Sequence, residues 1–213
     1  MKKIMFNDKY GLTNAVLNGK KTMTRRIVPK CILDNVEQYR QDYYDSALES
    51  ISFEDAILNM VTAEQMFKNF HHEIGETLAV AQRYSDIADD KFFVNEIAAD
   101  ELTVNAMKYE LGWNNKQGVK ACYMPHRIRI TDIKIERLQD ISNDDCLKEG
   151  IKNKSCFPRK PAFPYYFEGG KHRWDNSFST PRKAFAALID KVSGKGTWDS
   201  NPWVFAYSFE IIN

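Results

Sequence analysis

Apolar and polar positions change period several times along this chain, and each change marks an element. Over residues 127–138 they alternate, with Ile128, Ile130, Ile133, Ile135 and Leu138 set among charged residues, which predicts a long half-buried strand. A second strand is predicted from Trp203 to Ile211. A third begins near Thr22, where the two-residue period puts Thr22, Thr24 and Arg26 on one face. Gly75 and Glu76 predict a turn feeding a strand through Leu78 and Val80.

Helical spacing fills most of the remainder. Tyr10 to Asn18 predicts a short helix ended by Gly19. Residues 31–72 read as helical and polar, with Ser52 capping an acidic first turn and a similar opening at Thr62. Residues 85–111 are again helical and acidic. Ser142 caps a short helix that closes at Gly150. Thr180 and Pro181 open another, with Phe185, Leu188, Ile189 and Val192 on its buried side and Gly194 at its end. Residues 152–177, rich in Pro, Gly and aromatics, read as a long loop in which Phe163 to Phe167 is either a lid or a packed segment. The pattern predicts an α+β protein, a single domain over 1–213 with 31–72 and 85–111 as helical insertions.

Composition narrows the class. The 213 residues are 43% hydrophobic and 28% charged, ordinary values for a globular chain long enough to bury a full core. No run approaches the roughly 20 apolar residues of a membrane span, and the basic start at Lys2 and Lys3 has no long apolar region behind it. Cys31, Cys122, Cys146 and Cys156 show neither close pairing nor zinc spacing, which fits free thiols in a cytoplasmic compartment. His71, His72, His126 and His172 form no ligand pattern, so no metal and no cofactor is expected.

The net charge of +1 conceals an asymmetry. Residues 1–30 carry eight Lys/Arg against one Asp, residues 31–111 five against seventeen acidic side chains, and residues 112–213 seventeen against eleven. Basic ends that fold together would suit phosphate or nucleic acid, while the acidic middle faces elsewhere and offers a surface for a protein partner.

The densest chemistry lies in Gly19-Lys20-Lys21-Thr22-Met23-Thr24-Arg25-Arg26. Lys21 stands at the mouth of the predicted strand beside the Thr24 hydroxyl, so a base, a nucleophile and two planar cations are gathered in one segment. A threonine hydroxyl becomes a nucleophile only when a neighbour takes its proton. Lysine can do so once burial or nearby positive charge lowers its pKa. Solvated cations at a helix-to-strand turn are the plain alternative. Near the last strand, Trp198, Asn201 and Trp203 either line a base-stacking pocket or fill the core.

The order of four blocks, Gly19 to Arg26, Ile74 to Val80, Met124 to Gly150 and Trp198 to Phe209, resembles the ASCH domain family. Within them, Glu136-Arg137-Leu138-Gln139-Asp140-Ile141-Ser142 is similar to ASCH-type proteins of phage and prophage regions. The resemblance covers about half the chain and leaves out the acidic middle. It implies a small β-barrel of the PUA-like superfamily that binds RNA, a nucleotide or a modified nucleobase. One small bacterial branch hydrolyses the acetyl amide on the exocyclic amine of acetylcytidine, using a lysine as proton acceptor, a threonine as nucleophile and a glutamate as proton donor. That pattern falls here on Gly19, Lys21, Thr22 and Thr24. The glutamate of the helix after the long strand falls on Glu149, with Asp144 and Asp145 as substitutes.

Three functions stay open at this point. One is a nucleic-acid or nucleotide module in which Thr22, Arg25, Arg26, Arg127 and Arg129 hold the ligand with Asn201 and Trp203. The second is an amidohydrolase acting through Lys21, Thr24 and Glu149. The third is a non-catalytic phage accessory protein working through its acidic segment. Substitution of Lys21 or Thr24 is expected to leave the fold intact.

Overall fold

In the computed structural model every residue is described except 48, 64–70, 91–92, 98–100, 155–162, 171–174 and 213. In chain order the elements are β1 (Lys2–Ile4), α1 (Leu12–Leu17), β2 (Met23–Ile27), α2 (Lys30–Leu33), α3 (Val36–Ala47) and α4 (Phe53–Ala63). Then follow β3 (Thr77–Val80), α5 (Tyr84–Ile87), α6 (Glu101–Met107), β4 (Arg127–Arg137) and α7 (Asn143–Lys148). The last are β5 (Lys152–Asn153), β6 (Tyr165–Tyr166), β7 (Ser177–Phe178), α8 (Pro181–Ser193), α9 (Thr197–Ser200) and β8 (Trp203–Ile212). The predicted helix opening at Thr62 belongs to the end of α4, and its continuation over 64–67 lies outside the described residues, as do Cys156 and His172.

The local signals hold where their chemistry is local. Ser52, Ser142 and Thr180 accept from the backbone N–H three residues on, at 3.0, 3.0 and 3.2 Å. Gly150 and Gly194 end their helices with φ of 105° and 111°. The predicted 152–177 loop instead contains a small antiparallel sheet, β5-β6-β7, whose strands of two residues are too short to show a period. Phe167 stacks on Phe178 at 5.9 Å, so the end of the Phe163–Phe167 stretch is a packed segment.

Five strands form the main sheet in the order β1-β3-β4-β8-β2, all antiparallel except β1 with β3. The protein is therefore α+β, but among the described residues the sheet is open and the barrel expected from the resemblance does not close. Where a closing ladder would run between β1 and β2, the Arg26 guanidinium donates to Met5 O at 2.7 Å and the Phe6 ring lies beside it. Side chains thus fill the gap that hydrogen-bonded strands would occupy, and a cleft opens there.

The register of β4 against β8 slips between Ile130 and Asp132, leaving Thr131 as an extra residue. Such a bulge keeps Ile128, Ile130, Ile133 and Ile135 in line with Ile211, Phe209, Tyr207 and Phe205. That face of β8 packs towards the α4 side, through Phe53 on Trp203, His71 on Phe205 and His72 on Tyr207. Ile32, Val36, Ile57, Met60 and Val61 share its core, so the helices between β2 and β3 help bury the sheet. Val204 and Ala206 face the other way, the side on which Arg25, the neighbour of Ala206, lies near Phe185 of α8 and bonds Glu149. A second cluster, with Tyr84, Ile87, Phe93 and Met124, packs beyond β3. No helix among the described residues is long and apolar enough to cross a membrane.

Candidate functional site

The turn from α1 into β2 delivers Lys21. Gly19 adopts φ 65°, and the N–H groups of Lys20 and Lys21 both bond back to Ala15 O, which reverses the chain. The Thr22 N–H then donates to Lys148 O, and Thr22 O accepts from Phe209 N, both at 2.9 Å. Thr22 is a backbone stitch that lays the start of β2 against the end of α7. Lys21 and Glu149 are consequently brought side by side from 128 residues apart.

Their contact is buried. Lys21 Nζ donates to Glu149 Oε2 at 2.6 Å, to Glu149 O at 2.8 Å and to Met23 O at 2.7 Å, using all three ammonium protons. Side-chain exposure is 2% for Lys21 and 6% for Glu149. Burial pulls the Lys21 ammonium below the ordinary lysine value, the Glu149 carboxylate opposes this, and Arg26 and Arg25 add to the lowering. Gly150 makes room for the lysine stem. A Cβ there would lie 3.2 Å from Leu12 Cδ2 and 3.7 Å from Lys21 Cδ, at a φ of 105° that side chains rarely adopt. Gly150→Ala should therefore cost about 1–3 kcal/mol in a denaturation experiment. A neutral effect would show that the turn does not constrain Lys21.

Arg25 holds the other carboxylate oxygen. Its Nη1 donates to Glu149 Oε1 at 3.1 Å, while Nε and Nη2 converge on Glu136 Oε1 at 3.0 and 2.5 Å, with Asp145 at 3.8 Å. In register, Arg25 lies beside Ala206, whose other neighbour is Lys134, and Glu136 lies beside Val204. Arg25 therefore reaches across the small Ala206 side chain of β8 to a carboxylate on β4. The expectation that Arg25 binds phosphate is corrected by this geometry: its guanidinium is 1% exposed and committed to carboxylates.

Lys21, Thr24, Arg25, Arg26 and Glu149 line one cleft of about 650 Å³, opposite Phe185, Leu188, Ile189 and Val192 of α8. Ile189 and Val192, predicted to be buried, serve as cleft wall, and Val192 is exposed at its mouth. Thr24 is 5% exposed, and its hydroxyl has no hydrogen-bond partner among the described residues. No hydrogen bond joins it to Lys21, whose three donors go to Met23 O, Glu149 O and Glu149 Oε2. Arg26 reaches Met5 and stacks near Phe6, which also lies 5.8 Å from Lys21 Nζ. Burial pushes the neighbouring Cys146 thiol up to about 12, so it remains a protonated part of the packing.

Asn201 and Trp203 are not brought to this cleft. Asn201 adopts φ 42°, and its Oδ1 accepts from Gln139 N at 2.8 Å. Trp203 stacks on Phe53 at 5.0 Å under the Arg137 guanidinium. Trp198 packs edge-on against Phe185. All three have framework roles. Of the substitutes for Glu149, Asp145 approaches Arg25, whereas Asp144 does not line the cleft. Arg129 faces Glu210 in an exposed pair.

Glu136, Phe6, Asn7 and Gln117 were not singled out as site residues from the residue pattern, and Phe185 was read only as a buried helix position. Glu136 could have been found from the slip in the isoleucine spacing between Ile130 and Ile133, which marks the bulge and hence its face. Among the described residues no group of three His, Cys, Asp or Glu is arranged to hold a metal ion. Comparison of the chain with family models, curated proteins and solved structures found no match.

Proposed function

We propose that the protein is an ASCH-like amidohydrolase that binds an acylated cytidine in this cleft and cleaves the amide on its exocyclic amine. The observation that carries this reading is that Lys21, Thr24 and Glu149, the first and last 128 residues apart, line one cleft. The electrostatics favour a nucleoside over a phosphate backbone. Lys21 and Arg25 already face Glu149, Glu136 and Asp145, which leaves Arg26 as the arginine on the open wall.

The chemistry starts from the Lys21–Glu149 contact. One proton passing from Nζ to Oε2 across 2.6 Å makes Lys21 a neutral amine and Glu149 a carboxylic acid in a single step. Desolvation favours that exchange, because it removes two buried charges, while Arg25 restrains it by holding Oε1. Lys21 then turns from Met23 O to take the Thr24 proton, and Oγ1 attacks the acyl carbon. The C–N bond breaks as Glu149 protonates the departing exocyclic nitrogen. The regenerated Glu149 carboxylate takes a proton from water, whose hydroxide attacks the ester carbon. Thr24 Oγ1 leaves with the proton held by Lys21, acetic acid departs, and Glu149 returns its proton to Lys21 across their contact.

Purified protein should release acetate from acetylcytidine, as followed by chromatography. Because the active pair holds a single proton, turnover should fall as pH rises through loss of that proton, along a limb lying below the ordinary lysine value of 10.5. A limb at or above that value would remove Lys21 from the role. Cytidine binding without release of acetate would leave the cleft as a reader of nucleobases.

A further inference from the structure

We infer that Asn7 and Gln117 read the polar edge of the base, which makes them the residues that select cytidine; this rests on the acylcytidine reading above. Both line the cleft, and neither side-chain amide is hydrogen-bonded to protein among the described residues. Their segments are nevertheless tied down with unusual thoroughness. Lys116, directly before Gln117, sends its ammonium to Phe6 O, to the Asp8 carboxylate and to Thr13 Oγ1, so it grips the chain on both sides of Asn7. Lys3 donates to Lys116 O, Gln117 O and Val119 O at 3.4, 2.6 and 2.8 Å. Asn115 Oδ1 caps the same turn by accepting from Gln117 N at 2.9 Å. A Cβ on Gly118 would meet Gly112 N and Leu111 C at 2.8 Å, so the turn is also packed from behind.

Two lysines therefore spend their donors on the backbone and side chains around a pair of side-chain amides that bond to no described residue. That arrangement pre-positions hydrogen-bonding groups. The match to cytosine follows from the inventory of donors. Cytosine offers O2 and the bare N3 as neighbouring acceptors, and an amide NH2 supplies the donor each needs. Uracil presents an N–H at position 3 and so opposes a donor there. Acylation of the exocyclic amine leaves O2 and N3 unchanged, so the same contacts serve substrate and product.

The test measures calorimetric binding of cytidine and uridine to the wild type and to Gln117→Glu and Asn7→Asp, with kcat and KM for acetylcytidine and N6-acetyladenosine. The carboxylates keep the shape but accept only, so each variant should bind cytidine about tenfold more weakly and lose its preference over uridine. KM for acetylcytidine should rise about tenfold with kcat within about threefold, since the chemistry lies elsewhere in the cleft. Melting temperatures close to wild type distinguish lost recognition from lost structure. Unchanged cytidine affinity and preference in both variants would overturn the assignment, as would equal use of the two acetylated nucleosides by the wild type. Failure of turnover with cytidine selectivity intact would sink the hydrolase reading and leave Asn7 and Gln117 standing. Binding of neither nucleoside would sink both.

Discussion

Thr24→Ala is expected to lower release of acetate from acetylcytidine by at least about 10³-fold while the protein stays folded. The hydroxyl has no partner within the protein among the described residues, so its loss strands no buried group. Thr24 is 5% exposed and pairs with Tyr207 in the β2–β8 ladder through its backbone, which alanine preserves. A stability cost of about 1 kcal/mol or less is expected from the lost methyl and β-branch. Removing the nucleophile should be as damaging alone as together with Glu149→Gln, because groups that act as a unit do not contribute additively. Wild-type turnover in Thr24→Ala, with a normal melting curve, would remove threonine from the chemistry.

Lys21 behaves differently from Thr24, and the second large effect is on the fold itself. Lys21→Met should destabilise the protein by about 3–5 kcal/mol, as measured by urea unfolding, because among the described residues it leaves the buried Glu149 with Arg25 as its remaining salt-bridge partner. The burial of this contact argues that a change at Lys21 has a stability cost, against the expectation drawn from the residues alone. In Lys21→Met with Glu149→Gln, the charge imbalance is relieved and part of the loss should return. A cost under about 1 kcal/mol for the single change, the range of exposed pairs, would contradict the burial of this contact. Loss of activity in Lys21→Met should therefore be measured well below the unfolding midpoint, where the folded population dominates.

What was legible in the sequence follows the range of the interactions involved. Caps at Ser52, Ser142 and Thr180 and the stops at Gly150 and Gly194 depend on neighbours a few residues away, so composition alone reveals them. Strand β4 announces itself because a half-buried strand must alternate, whereas β8, buried on both faces from Val204 to Tyr207, reads as a near-continuous apolar run. The pairing of Lys21 with Glu149 entered through resemblance, since nothing local in either segment points to the other. Arg25 shows the limit most clearly. As a strand residue beside Arg26 it reads as a solvated cation, and only the register of β2, β8 and β4 reveals that Glu136 neutralises it. Whether the barrel closes was equally hidden, because it depends on Phe6 and Arg26 filling space between two distant edges. Asn201 and Trp203 misled for the same reason: aromatic and amide side chains near a strand end suit a pocket or a corner, and here Phe53 and Gln139 claim them.

The position of β8 between β4 and β2 carries a consequence for how the protein is made. A chain emerging from the ribosome has β1, β3 and β4 available long before residues 203–212 appear, yet β2 has no hydrogen-bonding neighbour in the sheet until they do. The segment that supplies Lys21, Thr24 and Arg25 must wait, unpaired, through synthesis of some 175 intervening residues, the span from Ile27 to Trp203. Vectorial synthesis can therefore complete the helices early, but the cleft assembles only after translation has passed β8, with the slow kinetics that distant strand pairing entails.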